Sequence, residues 1–241
     1  MKQYEAVIKV MNENGGFATL GFLNQNVLLV QDCEWKTNTP FASIRRIVQD
    51  ERFFFKIRPG LWALKSHREI VLNIFNIEDE KKNNEELDHY YYQGLLVEIG
   101  NIKNYQTFVP DQDKNKYYLK KPLKDLTTMN DIYNFTFDKI IKRAKTVDVC
   151  WFNNRKLPNY MFEVEHSTDI YNSLLKFVEL QDFYINFFIV AHSAKEEQFK
   201  KKYSMSAFDT IQNRVKFLNY DKLSKWHSTS FEMSAIEKGL F

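Results

Sequence analysis

Apolar and polar positions divide the chain into stretches of two different periods. Lys2 to Glu13 places Ala6, Val7, Val10 and Met11 at helical spacing, and Asn14-Gly15-Gly16 ends the run as a helix C-cap does. Ala18 to Val30 reads as a second helix, and Asp32 to Thr39 as a polar loop. Thr39-Pro40 then opens a third helix, with Thr as N-cap and Pro in the first turn. Its buried stripe is Phe41, Ile44, Ile47 and Val48, which leaves Ser43, Arg45, Arg46 and Gln49 outward. Arg52 to Ile57 and Leu61 to Leu64 flank Arg58-Pro59-Gly60 and predict a β-hairpin. The run Glu78 to Glu86 is densely charged and reads as a connector between domains. After it, Leu87 to Ile99 predicts a helix stopped at Gly100, and Tyr105 to Pro110 a short strand.

The next stretch carries the candidate chemistry. Thr146 to Phe152 and Met161 to His166 are two apolar runs, joined by the polar, Pro-containing connector Asn153 to Asn159. That pattern predicts a hairpin. Alternate positions on a strand share a face, so Glu163 and Glu165 point the same way, and pairing brings Asp148 to the same end of the sheet. Three converging carboxylates repel one another unless a hard cation such as Mg²⁺ lies among them. His166 projects to the face opposite Glu165. A helix over Asp169 to Phe183 follows, capped by Ser167 or Thr168. Phe187 to Val190 is apolar enough for a central strand, Ala194 to Tyr203 is an exposed helix, and Val215 to Leu218 a last strand.

Composition narrows this picture without changing it. The 241 residues hold one or two domains, and 44% are apolar, ordinary for a globular chain. No apolar run approaches the roughly 18 residues of a membrane span, so no membrane partner is expected. Cys33 and Cys150 lack metal-ligand spacing and read as reduced thiols of a cytoplasmic protein. The net charge of +3 falls entirely within residues 1–66, where nine Lys or Arg face six Asp or Glu. That favours the N-terminal region as an electrostatic docking surface. The chain contains no glycine-rich phosphate loop and no Cys/His zinc cluster.

Asp148 with Glu163-Val164-Glu165 resembles the signature of the PD-(D/E)xK nucleases, in its E-x-E form. The resemblance implies a restriction-endonuclease-like α/β core, a mixed sheet flanked by helices. It implies Asp148 and Glu163 as ligands of Mg²⁺, with Glu165 orienting the attacking water or holding a second ion. Leu95-Leu96-Val97-Glu98-Ile99-Gly100 resembles the helix that opens this core, which makes Glu98 a fourth candidate. Lys176, on the helix after the motif, is the candidate for the lysine that the E-x-E form lacks. Residues 4–65 resemble the winged-helix class called HARE-HTH, on Thr37 to Asp50 and Pro59 to Leu64. That resemblance implies a third helix in the major groove, with Ser43, Arg45, Arg46 and Gln49 as base or phosphate contacts. Lys56, Arg58 and Lys65 would be backbone contacts of the wing.

The expected organisation is a winged helix over 1–66, a charged linker over 67–86 and a nuclease domain over 87–241. The implied activity is that of a type II, sequence-specific, Mg²⁺-dependent endonuclease on double-stranded DNA, acting as a homodimer. A modification-dependent DNA endonuclease is the nearest alternative. A non-catalytic winged-helix DNA-binding regulator is the alternative from another class.

Overall fold

Two glycines shape the start of the chain. The helix α1 (Gln3–Glu13) buries Ala6, Val7, Val10 and Met11, while the Glu5 carboxylate accepts the Lys2 N–H at 2.8 Å. Gly15 and Gly16 follow with φ of 74° and 88°, a left-handed pair that reverses the chain. The reversal sends Phe17–Thr19 out as a strand, β1, and not as the first turn of the expected second helix. All three residues of β1 are buried, and a short apolar run of this kind has no period that separates strand from helix. Helix α2 (Leu20–Asn26) begins only after Thr19, whose hydroxyl accepts the Phe22 N–H at 3.1 Å.

The computed structural model describes residues 1–75, 77, 85–166 and 170–239. They form two units, one of Met1–Asn84 with Ser224–Phe241 and one of Glu85–Leu223. In the first unit α3 (Pro40–Ile47) starts at Pro40, and β2 (Phe54–Arg58) turns through Gly60 into β3 (Leu61–Leu64). These strands form an antiparallel sheet of order β1-β3-β2. Helix α4 (Arg68–Ile74) lies within the stretch expected to be linker. The charged run 78–84 and the expected cap at Ser167 or Thr168 lie outside the described residues.

The second unit opens with α5 (Glu85–Ile102), which does not stop at Gly100 as expected. Gly100 instead permits close packing: a Cβ there would stand 2.7 Å from Trp151 Nε1 and 2.6 Å from the Thr107 methyl. Then come β4 (Gln106–Phe108), a small hairpin of β5 (Tyr117–Tyr118) and β6 (Lys121–Pro122), and α6 (Asp138–Ala144). The central pair is β7 (Val149–Phe152) and β8 (Pro158–Glu165), followed by α7 (Ile170–Glu179) and β9 (Asn186–Ala191). The unit closes with α8 (Glu196–Tyr203), β10 (Val215–Asn219) and the first residues of α9 (Tyr220–Glu237). From Ser224 onward α9 belongs to the first unit.

The five-stranded sheet has the order β10-β9-β8-β7-β4. Pairings β10/β9 and β9/β8 are parallel, whereas β8/β7 and β7/β4 are antiparallel. This is the mixed sheet with flanking helices that the α/β reading expects. Its core is built of Cys150, Phe152, Met161, Phe177, Phe187 and Ile189 with their neighbours. Among the described residues, no helix is long and apolar enough to cross a membrane.

A second close approach gives a stability prediction. A Cβ on Gly94 would stand 2.1 Å from the Tyr118 ring, so α5 and the β5/β6 hairpin tolerate only hydrogen there. Gly94→Ala is expected to destabilise the protein by about 1–3 kcal/mol, read from denaturant unfolding.

Candidate active site

Register sets the first pair of carboxylates. Val149 of β7 pairs with Phe162 of β8, so the next rung places Asp148 opposite Glu163. Asp148 lies one residue ahead of its strand and is only 8% exposed. Its Oδ2 accepts the Val164 N–H at 2.7 Å, and His89 Nε2 from α5 stands 3.8 Å from its Oδ1.

Glu163 is 2% exposed and held from α7. Lys176 Nζ donates to its two oxygens at 3.0 and 2.8 Å, and to the Thr146 carbonyl at 3.0 Å. Ser173, three residues earlier on the same helix face, places its hydroxyl 3.1 Å from Glu163 Oε2. The same hydroxyl reaches Glu165 Oε1, so Ser173 lies between the two glutamates.

Burial pushes Glu163 well above the usual carboxylate range, and the Asp148 charge pushes the same way. Burial likewise raises Asp148, against the pull of His89 and Lys176. Burial alone would lower Lys176, but Glu163, then Asp148 and Glu165, outweigh it and hold the ammonium above its ordinary value. Cys150 is no nucleophile here: burial drives its thiol far up, and its Sγ donates to the Ala144 carbonyl.

A pocket of about 430 Å³ opens over these groups. His89, Asp113, Asp148, Glu163, Glu165 and Lys176 all line it. Four carboxylates thus share it with one lysine, an excess of negative charge in partly buried surroundings. That donor set fits a divalent cation, for which Asp148 and Glu163 supply hard oxygen ligands.

The expected residues do not all assemble. Asp148, Glu163, Glu165 and Lys176 meet, whereas Glu98 does not line the pocket. Its Oε2 accepts the buried Tyr118 hydroxyl at 2.8 Å. Glu98 lies nine residues beyond His89, about 13 Å along the helix axis. The α5 residues that do reach Asp148 are His89 and Gln93, and Gln93 Nε2 donates to the Asp148 carbonyl at 3.2 Å and to Asp113 Oδ2 at 2.8 Å. Sequence reasoning missed all three newcomers. Asp113 sits in a polar segment, Asp111 to Lys121, yet it is 4% exposed. His166 also lines the pocket, because β8 ends at Glu165 and strand alternation no longer governs the next residue.

In the N-terminal unit Arg46, Gln49, Lys56 and Lys65 are exposed, as expected, and Ser43 is half-buried with its hydroxyl on the Thr39 carbonyl. Arg45 is exposed too and pairs with Glu232 of α9, Nη2 to Oε1 at 2.5 Å. Arg58 is buried, with its guanidinium 5.6 Å from the centre of the Phe75 ring, so it does not project from the hairpin.

A family model described as the C-terminal domain of the type II restriction enzyme NmeDI matches residues 73–238. The type II restriction enzyme NmeDI of Neisseria meningitidis serogroup C is 24% identical over 162 residues, covering 63% of this chain and 46% of that protein. The chain therefore spans about half the length of the curated relative it matches. No solved structure matches it.

Proposed function

Because the chain belongs to the family defined by the C-terminal domain of the type II restriction enzyme NmeDI, we propose that it is a Mg²⁺-dependent endonuclease of the PD-(D/E)xK kind, cutting double-stranded DNA at a specific sequence. The observation that carries this reading is the ion pair of Lys176 with Glu163, which the continued strand register sets opposite Asp148. It supplies a lysine where the E-x-E motif has none. Asp148 and Glu163 would hold the ion, which when bound neutralises phosphate charge and lowers the pKa of a water.

The chain's own groups do the remaining work. Lys176 pulls the buried Glu163 toward its ionised form, against burial and Asp148, and presents positive charge at the pocket. The Ser173 hydroxyl ties Glu163 to Glu165 and fixes both rotamers. Glu165 is only half-buried and can accept a proton from water. Cutting both strands needs two such sites, so the working form is a homodimer on DNA.

The N-terminal unit is read as a winged helix that docks the DNA. Its element order and its β1-β3-β2 sheet support this, as does the basic surplus over residues 1–66. Arg46 and Gln49 of α3 would enter the major groove, with Lys56 and Lys65 on phosphates. Arg46→Ala in the full chain is expected to weaken DNA binding and to lower the salt slope by about one if it meets a phosphate. If it meets a base, preference relaxes at one position, by about 1–3 kcal/mol. Filter binding at several salt concentrations checks this, and unchanged affinity and preference would remove α3 from the interface.

Digestion of methylated and unmethylated plasmid with purified protein in Mg²⁺ tests the activity. Discrete fragments from unmethylated plasmid are expected. Fragments only from methylated plasmid would assign a modification-dependent enzyme, and cutting of neither would favour the non-catalytic regulator.

A further inference from the structure

Two donors that the nuclease motif does not use also meet Asp148. They are His89 of α5 and Asp113 of the loop after β4. One ligand atom from each of His89, Asp113 and Asp148 lies within 4.8 Å of the others. We propose that these three residues form a site for a divalent transition-metal ion of the Mn²⁺ or Co²⁺ class, one that shares Asp148 with the Asp148–Glu163 pair but adds His89 and Asp113.

The spacing suits a shared ion better than direct bonding. His89 Nε2 is 3.8 Å from Asp148 Oδ1, beyond hydrogen-bond range. Two metal–ligand bonds of about 2.1 Å span up to about 4.2 Å, so the His89–Asp148 separation already lies within the reach of a shared ion. An imidazole beside two carboxylates selects first-row transition metals over Mg²⁺ or Ca²⁺, which prefer oxygen alone.

The surroundings are built as a second shell. Asp148 is oriented by the Val164 N–H, and Asp113 by Gln93 Nε2 at 2.8 Å. Gln93 is fully buried, and its amide can point only one way, because the Asp113 carboxylate and the Asp148 carbonyl are both acceptors. That leaves Gln93 Oε1 buried with no hydrogen-bond partner among the described residues. A buried acceptor of this kind calls for a donor that the described residues do not provide, such as a water, on a side chain whose Nε2 already holds the Asp113 ligand. The repulsion between Asp113 and Asp148 is relieved by the same ion.

The test uses the full chain, stripped with chelator and without DNA. Co²⁺ binding is followed by visible absorption and Mn²⁺ binding by calorimetry. The wild type should bind both. His89→Ala and Asp113→Asn should each weaken binding by about tenfold or more, and His89→Ala should also shift the cobalt bands. Glu163→Gln should keep the His89-dependent bands. Thermal unfolding checks that each variant folds, and the near-isosteric Asp113→Asn stands in if His89→Ala does not. Affinity and spectrum unchanged in the folded variants would overturn the site. This readout is separate from cleavage: DNA left uncut with cobalt bands intact would count against the nuclease alone, and cutting with His89-independent binding against this metal site alone.

Discussion

Asp148→Ala and Glu163→Gln are each expected to abolish Mg²⁺-dependent cleavage of plasmid DNA while leaving DNA retention in a gel largely intact. The two carboxylates occupy one rung of the β7/β8 ladder and are almost wholly buried. Each is therefore held in a fixed position by its buried surroundings. Glu163→Gln keeps the shape and the contact with Ser173 but removes the charge that a cation needs. Asp148→Ala also leaves the Val164 N–H without its buried acceptor, so some loss of stability accompanies the loss of activity. The N-terminal unit carries the expected DNA contacts and is untouched by either change. Normal cleavage by either folded variant would sink the assignment of the site.

Lys176→Met should slow single-turnover cleavage by roughly 10²-fold or more, the scale on which a positioned catalytic group acts. Nζ lies within hydrogen-bond distance of both Glu163 oxygens and is the only lysine lining the pocket among the described residues. Removing it does two things. It takes positive charge from the place where phosphate charge develops, and it leaves Glu163 facing burial and Asp148 alone. Glu163 would then rise further and protonate, which weakens its hold on a metal. Raising Mg²⁺ should therefore restore part of the rate, because the cation competes with the proton for the same oxygens. A rate within about twofold of the wild type would return Lys176 to a purely structural role. Breaking a buried ion pair also costs stability, so the folded fraction is measured alongside.

Much of this site is legible in local pattern. The alternation of Met161 to Glu165 places Glu163 and Glu165 on one face. The polar connector Asn153 to Asn159 makes β7 and β8 neighbours, and that adjacency brings Asp148 to Glu163. Lys176 is legible as a candidate because α7 follows β8 directly, and a helix that packs back on its own sheet reaches the preceding strand. The α1 stripe and the Pro40 start of α3 follow from period and capping alone.

Other residues had no local signal. Nothing in the spacing of His89, Gln93 or Asp113 distinguishes them from surface polar groups. They meet Asp148 because α5 crosses the start of β7 with its first turns and not its last. That docking is set by Gly94 under Tyr118 and Gly100 against Trp151, contacts remote in sequence. The same crossing takes Glu98 out of the site. Arg58 reads as an outward cation, but the fold buries it beside Phe75, while Arg45 stays exposed and takes Glu232 of α9 as its partner.

By itself, then, the sequence determined the first and third helices, the β7/β8 pair and the carboxylates on it. Those depend on period, turn chemistry and nearest-neighbour pairing, which act over a few residues. Only the tertiary structure decided which helix side chains face those carboxylates, that Ser224 to Phe241 join the N-terminal unit, and which cations stay exposed. These depend on packing between segments far apart in the chain, where one missing Cβ decides how closely two elements approach.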